Sequence, residues 1–192
     1  MLILVTGGAR SGKSKFAEKY TMHLSREAVY IATAQIYDDE MKQRMELHQL
    51  RRDASGYEWT TALEPYDLAG LLSKLNEQET APTILIDCLT LWLTNWLLQW
   101  LGEQTIEQEL PRLQLQLADL LEQLKQALAD YRGTVIMVTN EVGAGIVPEY
   151  PLGRVYRDWA GMMNQQLASL CDQVFLVTAG IPLELKRNAF EF

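Results

Sequence analysis

Residues 2–14, LILVTGGARSGKS, constrain this chain more than any other stretch. Leu2–Thr6 is a short apolar, β-branched run that reads as a buried strand. It passes directly into Gly7-x-x-x-x-Gly12-Lys13-Ser14, the spacing of a phosphate-binding P-loop. Glycines let the backbone curl so that successive N–H groups of Gly7, Gly8, Ala9, Arg10, Ser11 and Gly12 can face phosphate oxygens as an anion nest. The helix expected from Lys13 onward adds its positive N-terminal end. Lys13 can then reach the β- and γ-phosphates, and the Ser14 hydroxyl can ligate Mg²⁺. A strand before this pattern and the amphipathic stretch Lys15–Leu24 after it argue for nucleoside triphosphate binding over a plain glycine-rich turn.

A chain of 192 residues fits one domain, 1–192, with a sizeable core. The formal charge of −8 argues against a nucleic-acid-binding surface, which normally needs a basic patch. Cys88 and Cys171 lie far apart in apolar contexts and read as buried free thiols of a reducing cytoplasm. His23 and His48 are too few for a histidine-based metal site. No signal peptide is expected, because the first residues already form a core strand. The run Ile84–Leu101 is apolar enough to suggest a membrane span. Asp87, Thr90, Thr94 and Asn95 interrupt it, and it reads as a strand ending at Asp87 followed by a very apolar helix. On that helix Trp92, Trp96 and Trp100 share one face, either core or a contact between subunits.

Strand and helix signals alternate along the chain. Strands are expected at Leu2–Thr6, Ala28–Ala34, Thr83–Asp87, Thr134–Thr139 and Gln173–Thr178, with a short edge strand at Leu183–Lys186. Helices are expected at Lys15–Leu24, Asp38–Arg52, Tyr66–Asn76, Leu89–Leu101, Pro111–Tyr131 and Val155–Leu170. Alternation of this kind means right-handed βαβ crossovers and a mainly parallel sheet covered on both faces. The fold class is α/β, a three-layer sandwich of the RecA-like P-loop NTPase kind. Ligands of such sheets sit beyond the carboxyl ends of the strands, so the residues just after each strand carry the chemistry.

After the third expected strand comes Asp87, where a P-loop enzyme places the acid that holds Mg²⁺; the alternative is a helix cap. After the fourth comes TNEVGAGIVP, a shaped loop in which Asn140 and Glu141 are candidates to touch substrate or order the site. After the second comes Thr33-Ala34-Gln35 and then a charged run with Asp38, Asp39, Glu40, Arg44, His48, Arg51 and Arg52. A histidine among arginines can meet a phosphate, and in its neutral form it can attack phosphorus. The same residues also suit a solvated helix face, and residue chemistry alone favours that reading.

Four stretches together resemble one family, the bifunctional adenosylcobinamide kinase/adenosylcobinamide-phosphate guanylyltransferases of cobalamin biosynthesis. They are LVTGGARSGKSKFAE (4–18), YIATAQIYDDEMKQRMELHQLRR (30–52), LIDCLTLWLTN (85–95) and VTNEVGAGIVPEYPLGRVYRDWAGMMNQQLA (138–168). VTNEVGAGIVP after a strand is far more specific to that family than the P-loop. The resemblance implies two reactions at one site. The hydroxyl of adenosylcobinamide is phosphorylated with ATP or GTP. GMP then passes from GTP through a histidine to that phosphate, giving adenosylcobinamide-GDP and pyrophosphate. It places His48 as the guanylylated nucleophile beside Lys13, and Asp87 with Ser14 at Mg²⁺. It sets Thr33, Ala34, Gln35, Gln49, Leu50, Arg51 and Arg52 near the nucleotide, and it suggests a cytoplasmic homo-oligomer, expected as a trimer.

The chain departs from the family at two points. Arg52 is followed by Asp53 where members commonly have proline, and Leu63 stands four residues after Trp59 where they commonly have an acid. Either the register shifts by one and Glu64 contacts the nucleotide, or that contact is lost. Two other functions compete: a small-molecule kinase without guanylyl transfer, which does not need His48, and a nucleotide-dependent switch. The absence of an Asn-Lys-x-Asp element counts against the switch.

Overall fold

The computed structural model describes residues 1–35, 43, 49–50, 52–102 and 106–190. Among the described residues seven strands form one sheet in the order β3-β2-β4-β5-β1-β6-β7. They are β1 (Leu2–Thr6), β2 (Glu27–Ala32), β3 (Glu58–Leu63), β4 (Ile84–Asp87), β5 (Val135–Val138), β6 (Gln173–Thr178) and β7 (Ile181–Glu184). β1 to β6 run parallel, and β7 closes one edge antiparallel to β6. The expected α/β architecture with a mainly parallel sheet is therefore present.

Alternation along the strands sorts their side chains onto two faces. Ile3, Val5, Tyr30, Ala32, Leu85, Ile136 and Val138 form one buried cluster, which takes in Ala17 of α1 (Lys13–Leu24). Leu4, Ile31, Ile84, Ile86, Val135 and Met137 face the other way. They bury against α2 (Leu68–Asn76), α3 (Leu89–Leu101), α4 (Ile106–Asp130) and α5 (Pro151–Leu170). On α4 the leucines at 113, 117, 121, 124 and 128 are all buried, as their helical spacing requires.

The element boundaries depart from expectation in a few instructive places. β3 was not expected: its sequence EWTTAL pairs with β2 as the edge strand, and four of its six residues are exposed. α4 begins at Ile106, so Pro111 lies inside the helix and does not start it. The edge strand is Ile181–Glu184, two residues earlier than expected. The expected helix Asp38–Arg52 falls mostly outside the described residues. Ile84–Leu101 divides into β4 and the 13-residue α3. Among the described residues no helix is long and apolar enough to cross a membrane.

Candidate active site

Strand register brings the important chain ends together. Asp87 stands level with Ala32 of β2 and Val138 of β5, while Val5 of β1 pairs with Val138 on the other side. The loop after β1, the carboxylate ending β4 and the loop after β5 thus share the carboxyl edge of the sheet. β5 separates the strand that carries the P-loop from the strand that carries Asp87.

The P-loop is held by contacts that tolerate no Cβ at its first glycine. At Gly7 an added Cβ would lie 2.4 Å from Val177 O and 2.7 Å from Ser11 Oγ. Gly12, at φ +95°, caps α1 in a conformation glycine adopts without strain. Its Cβ would approach Gly180 Cα to 3.2 Å. Between them Gly8, Ala9 and Arg10 are exposed, with Arg10 at φ 58°. The Ser11 N–H donates to Gly8 O (3.2 Å), and Gly180 N–H donates to Ser11 O (2.8 Å). The Lys13 ammonium is buried and donates to Gly8 O at 3.1 Å. That bond folds the side chain back over the loop. Ser14 is half-buried in the first turn of α1. The Ser11 hydroxyl is buried without a hydrogen-bond partner among the described residues, so the cradle holds an unmet polar group.

Asp87 ends β4 before a cis peptide to Cys88. Its Oδ2 accepts from the Tyr30 hydroxyl at 3.2 Å. Burial first, and the Asp87 carboxylate second, push the Tyr30 phenol well above its ordinary pKa, while Arg52 pulls it down. Burial also pushes the Cys88 thiol up to about 11, with Asp87 adding to the shift. Cys88 is therefore a neutral core thiol and not a nucleophile.

Thr33 commits its side chain to the protein's own backbone. It is fully buried; its hydroxyl donates to Cys88 O (2.7 Å) and accepts from the Cys88 N–H (2.8 Å). Its side chain thus fixes the turn leaving β4. Ala34 and Gln35 are half-buried beside it, and Gln49 and Leu50 are exposed. Arg52 is buried as well, with its guanidinium 3.5 Å from the Tyr30 ring centroid and 4.0 Å from Glu18 Oε1. Glu64 follows β3, and its Oε1 accepts from the N–H groups of Tyr66 (3.0 Å) and Asp67 (2.7 Å). That oxygen is committed to the turn before α2. His48 and Arg51 lie outside the described residues, as do the acids of the charged run and Arg44.

The loop after β5 is fastened from three sides. Its Glu141 N–H donates to Gly7 O (3.1 Å), and the Asn140 amide donates to the buried Thr90 hydroxyl of α3 (2.7 Å). From α5, Asn164 donates to Asn140 O (3.0 Å) and Arg157 to Gly143 O (2.5 Å). Glu141 turns its carboxylate back onto the Gly143 N–H (2.9 Å). Asn140 and Glu141 thus order the edge of the site, one of the two roles open to them. Sequence reasoning passed over Tyr30, Thr90, Asn95 and Asn164. Asn95 is buried and donates to Thr33 O (2.8 Å) and Pro65 O (3.0 Å), which no local spacing announces. On the same helix Trp92 is core, and both Trp92 and Trp96 donate their indole N–H to Tyr66 O. Trp96 and Trp100 pack tilted at 37° with centroids 4.8 Å apart, lining a cavity of about 320 Å³ with Tyr66 and Leu120.

Two oxygen donors, the Ser14 hydroxyl and the Asp87 carboxylate, stand at this edge. No cluster of three histidine, cysteine or acidic side chains gathers among the described residues. This donor set fits Mg²⁺, which takes one or two protein oxygens and completes its shell with phosphates and water.

Known proteins resemble the chain over nearly its whole length. The family described as cobinamide kinase / cobinamide phosphate guanyltransferase matches residues 3–185. The bifunctional adenosylcobalamin biosynthesis protein CobP of Pseudomonas aeruginosa is 42% identical over 183 residues, 95% of this chain and 96% of its own. The bifunctional adenosylcobalamin biosynthesis protein CobU of Salmonella typhimurium is 42% identical over 189 residues, covering 97% of this chain and 100% of its own. Its Escherichia coli namesake is 39% identical over 188 residues, at 97% and 100% coverage. With a P-loop, an acid-tipped strand and the TNEVGAGIVP loop on one sheet edge, the chain belongs to the cobinamide kinase / cobinamide phosphate guanyltransferase family.

Proposed function

We propose that the chain performs both of the family's transfers at the carboxyl edge of its sheet. It phosphorylates adenosylcobinamide with ATP or GTP, then moves GMP from GTP onto the product by way of His48. The observation that carries the reading is the pairing of two features on one edge. These are the buried Lys13 folded over Gly8 O at 3.1 Å and the Asp87 carboxylate at the end of β4. The insertion of β5 between their strands supports a RecA-like P-loop arrangement within a single domain, 1–192.

In the kinase step the P-loop amides and Lys13 bind the triphosphate and stabilise charge on the transferred phosphoryl group. Ser14 and Asp87 would hold Mg²⁺, which when bound neutralises phosphate charge and helps the leaving group depart. In the second step a neutral His48 nitrogen attacks the α-phosphorus of GTP. The bond to the bridging oxygen breaks, and pyrophosphate leaves. A phosphate oxygen of adenosylcobinamide phosphate then attacks the same phosphorus, the P–N bond breaks, and adenosylcobinamide-GDP forms. Arg51 is proposed to neutralise phosphate oxygens here. Gln35, Gln49 and Glu64 are the polar groups proposed to lie along the nucleotide. A homo-oligomer, expected as a trimer, and a cytoplasmic location complete the proposal.

Incubation with α-labelled GTP tests it. The expected result is an acid-labile, alkali-stable protein label that is absent in His48→Ala, with adenosylcobinamide phosphorylation retained. A variant that labels as well as the parent overturns His48. Phosphorylation without any label reduces the chain to a kinase.

A further inference from the structure

Tyr30 is tied into the site by more than sheet packing. It lies mid-strand in β2, level with Leu85, and is 5% exposed. Its hydroxyl reaches Asp87 Oδ2 at 3.2 Å, while its ring meets Trp59 of β3 edge-on, with centroids 6.1 Å apart. Over that ring stands the Arg52 guanidinium at 3.5 Å, opposite Glu18 of α1. The Arg52 backbone is itself fixed, since its carbonyl accepts from both the Ser55 N–H (2.9 Å) and the Ser55 hydroxyl (2.5 Å). Tyr30 therefore holds the strand end carrying Asp87 through its hydroxyl and Arg52, four residues beyond His48, through its ring, and Arg52 in turn reaches Glu18 on the helix after the P-loop.

The physical effect of each contact is direct. A carboxylate on a strand end rotates broadly about its last torsion. A donor on Oδ2 restricts that rotation and sets where Oδ1 points. A guanidinium lying flat on a phenol ring is attracted to its π face and is held in one plane. We propose that Tyr30 is a positioning residue: it orients the Asp87 carboxylate and, through the stacked Arg52, registers the chain beyond His48 on the phosphate site. This inference rests on the roles proposed above for Asp87 and His48.

Two conservative variants test it. Tyr30→Phe keeps the ring, and hence the stack, while removing the hydroxyl. Binding of a fluorescent, non-hydrolysable GTP analogue is measured with Mg²⁺ and with EDTA. The Mg²⁺-dependent gain in affinity is expected to fall about tenfold, the order of one hydrogen bond to a charged group, with EDTA binding unchanged. Arg52→Lys keeps the charge opposite Glu18 and loses the planar stack. It is expected to lower the histidine label by a larger factor than it lowers adenosylcobinamide phosphorylation. A full Mg²⁺ gain in Tyr30→Phe, or equal losses of both activities in Arg52→Lys, overturns the proposal. If the parent protein never labels, the His48 reading fails. The Mg²⁺ titration of Tyr30→Phe then still decides whether Tyr30 orients Asp87.

Discussion

Thr33 spends every polar group it has inside the protein. Its N–H donates to Asp87 O (3.3 Å), its carbonyl accepts from Asn95, and its hydroxyl bonds both Cys88 N–H and Cys88 O. The turn that presents Asp87 is thus built from the neighbouring strand's end. Thr33→Val is nearly isosteric and removes only the hydroxyl. It leaves the Cys88 N–H buried and unpaired, which costs about 1–3 kcal/mol. Urea unfolding should show that loss, together with weaker Mg²⁺-dependent nucleotide binding as the Asp87 turn loosens. A change in unfolding free energy below about half a kcal/mol would mean that the turn holds itself. The places of Lys13, Ser14 and Asp87 at the carboxyl edge of the sheet were readable in the sequence because they follow from short-range spacing after a strand. Thr33, Tyr30 and Arg52 were not, because the partners that define them lie 55, 57 and 34 positions away (Cys88, Asp87 and Glu18).

Elements were legible where one face is buried and obscure where it is not. The leucine spacing of α4 and the apolar runs of β1, β4 and β5 carry strong periodic signals. β3 carries a weak one, because an edge strand with exposed Thr60, Thr61 and Leu63 has little apolar alternation to display. The proline in α4 misled for a related reason. Proline favours the first turn, so Pro111 looked like a helix start, yet the leucine-rich face extends back to a buried Ile106. α2 shows the opposite case, a boundary set by one side chain. Asp67 is its N-cap, and Oδ1 accepts from the Gly70 N–H at 2.9 Å. Asp67→Ala should cost about 1 kcal/mol in chemical unfolding, and Asp67→Asn should cost far less because its side-chain oxygen can still accept. Equal losses from the two variants would place the effect in charge and not in the cap.

At the scale of the whole molecule, the larger hydrophobic cluster has enclosed ionisable groups in their neutral forms, which makes stability depend on alkaline pH. Cys171, at the end of α5, is 2% exposed, and Tyr131, after α4, is 6% exposed. Both belong to the cluster beneath the four-helix face of the sheet. Burial pushes the Cys171 thiol up to about 12 against the pull of Lys186, which donates to the Cys171 carbonyl. Burial likewise pushes the Tyr131 phenol up to about 12, and its hydroxyl donates to Pro82 O at 2.7 Å. In the unfolded chain a thiol titrates near about 8.5 and a phenol near about 10. As pH rises past those values the unfolded chain releases protons that the native protein keeps, so the unfolded state is progressively favoured. Stability should therefore be level up to about pH 8.5 and fall as pH climbs from there toward 12. The buried thiols Cys171 and Cys88 supply the first part of that fall, and the phenol joins above about pH 10. Urea midpoints across this range give the curve, and Cys171→Ala should shrink its early limb, leaving the share that the buried Cys88 thiol contributes and leaving the later limb intact. A parent curve flat to pH 11, or an early limb unchanged in Cys171→Ala, would show that the buried thiol does not govern the alkaline response.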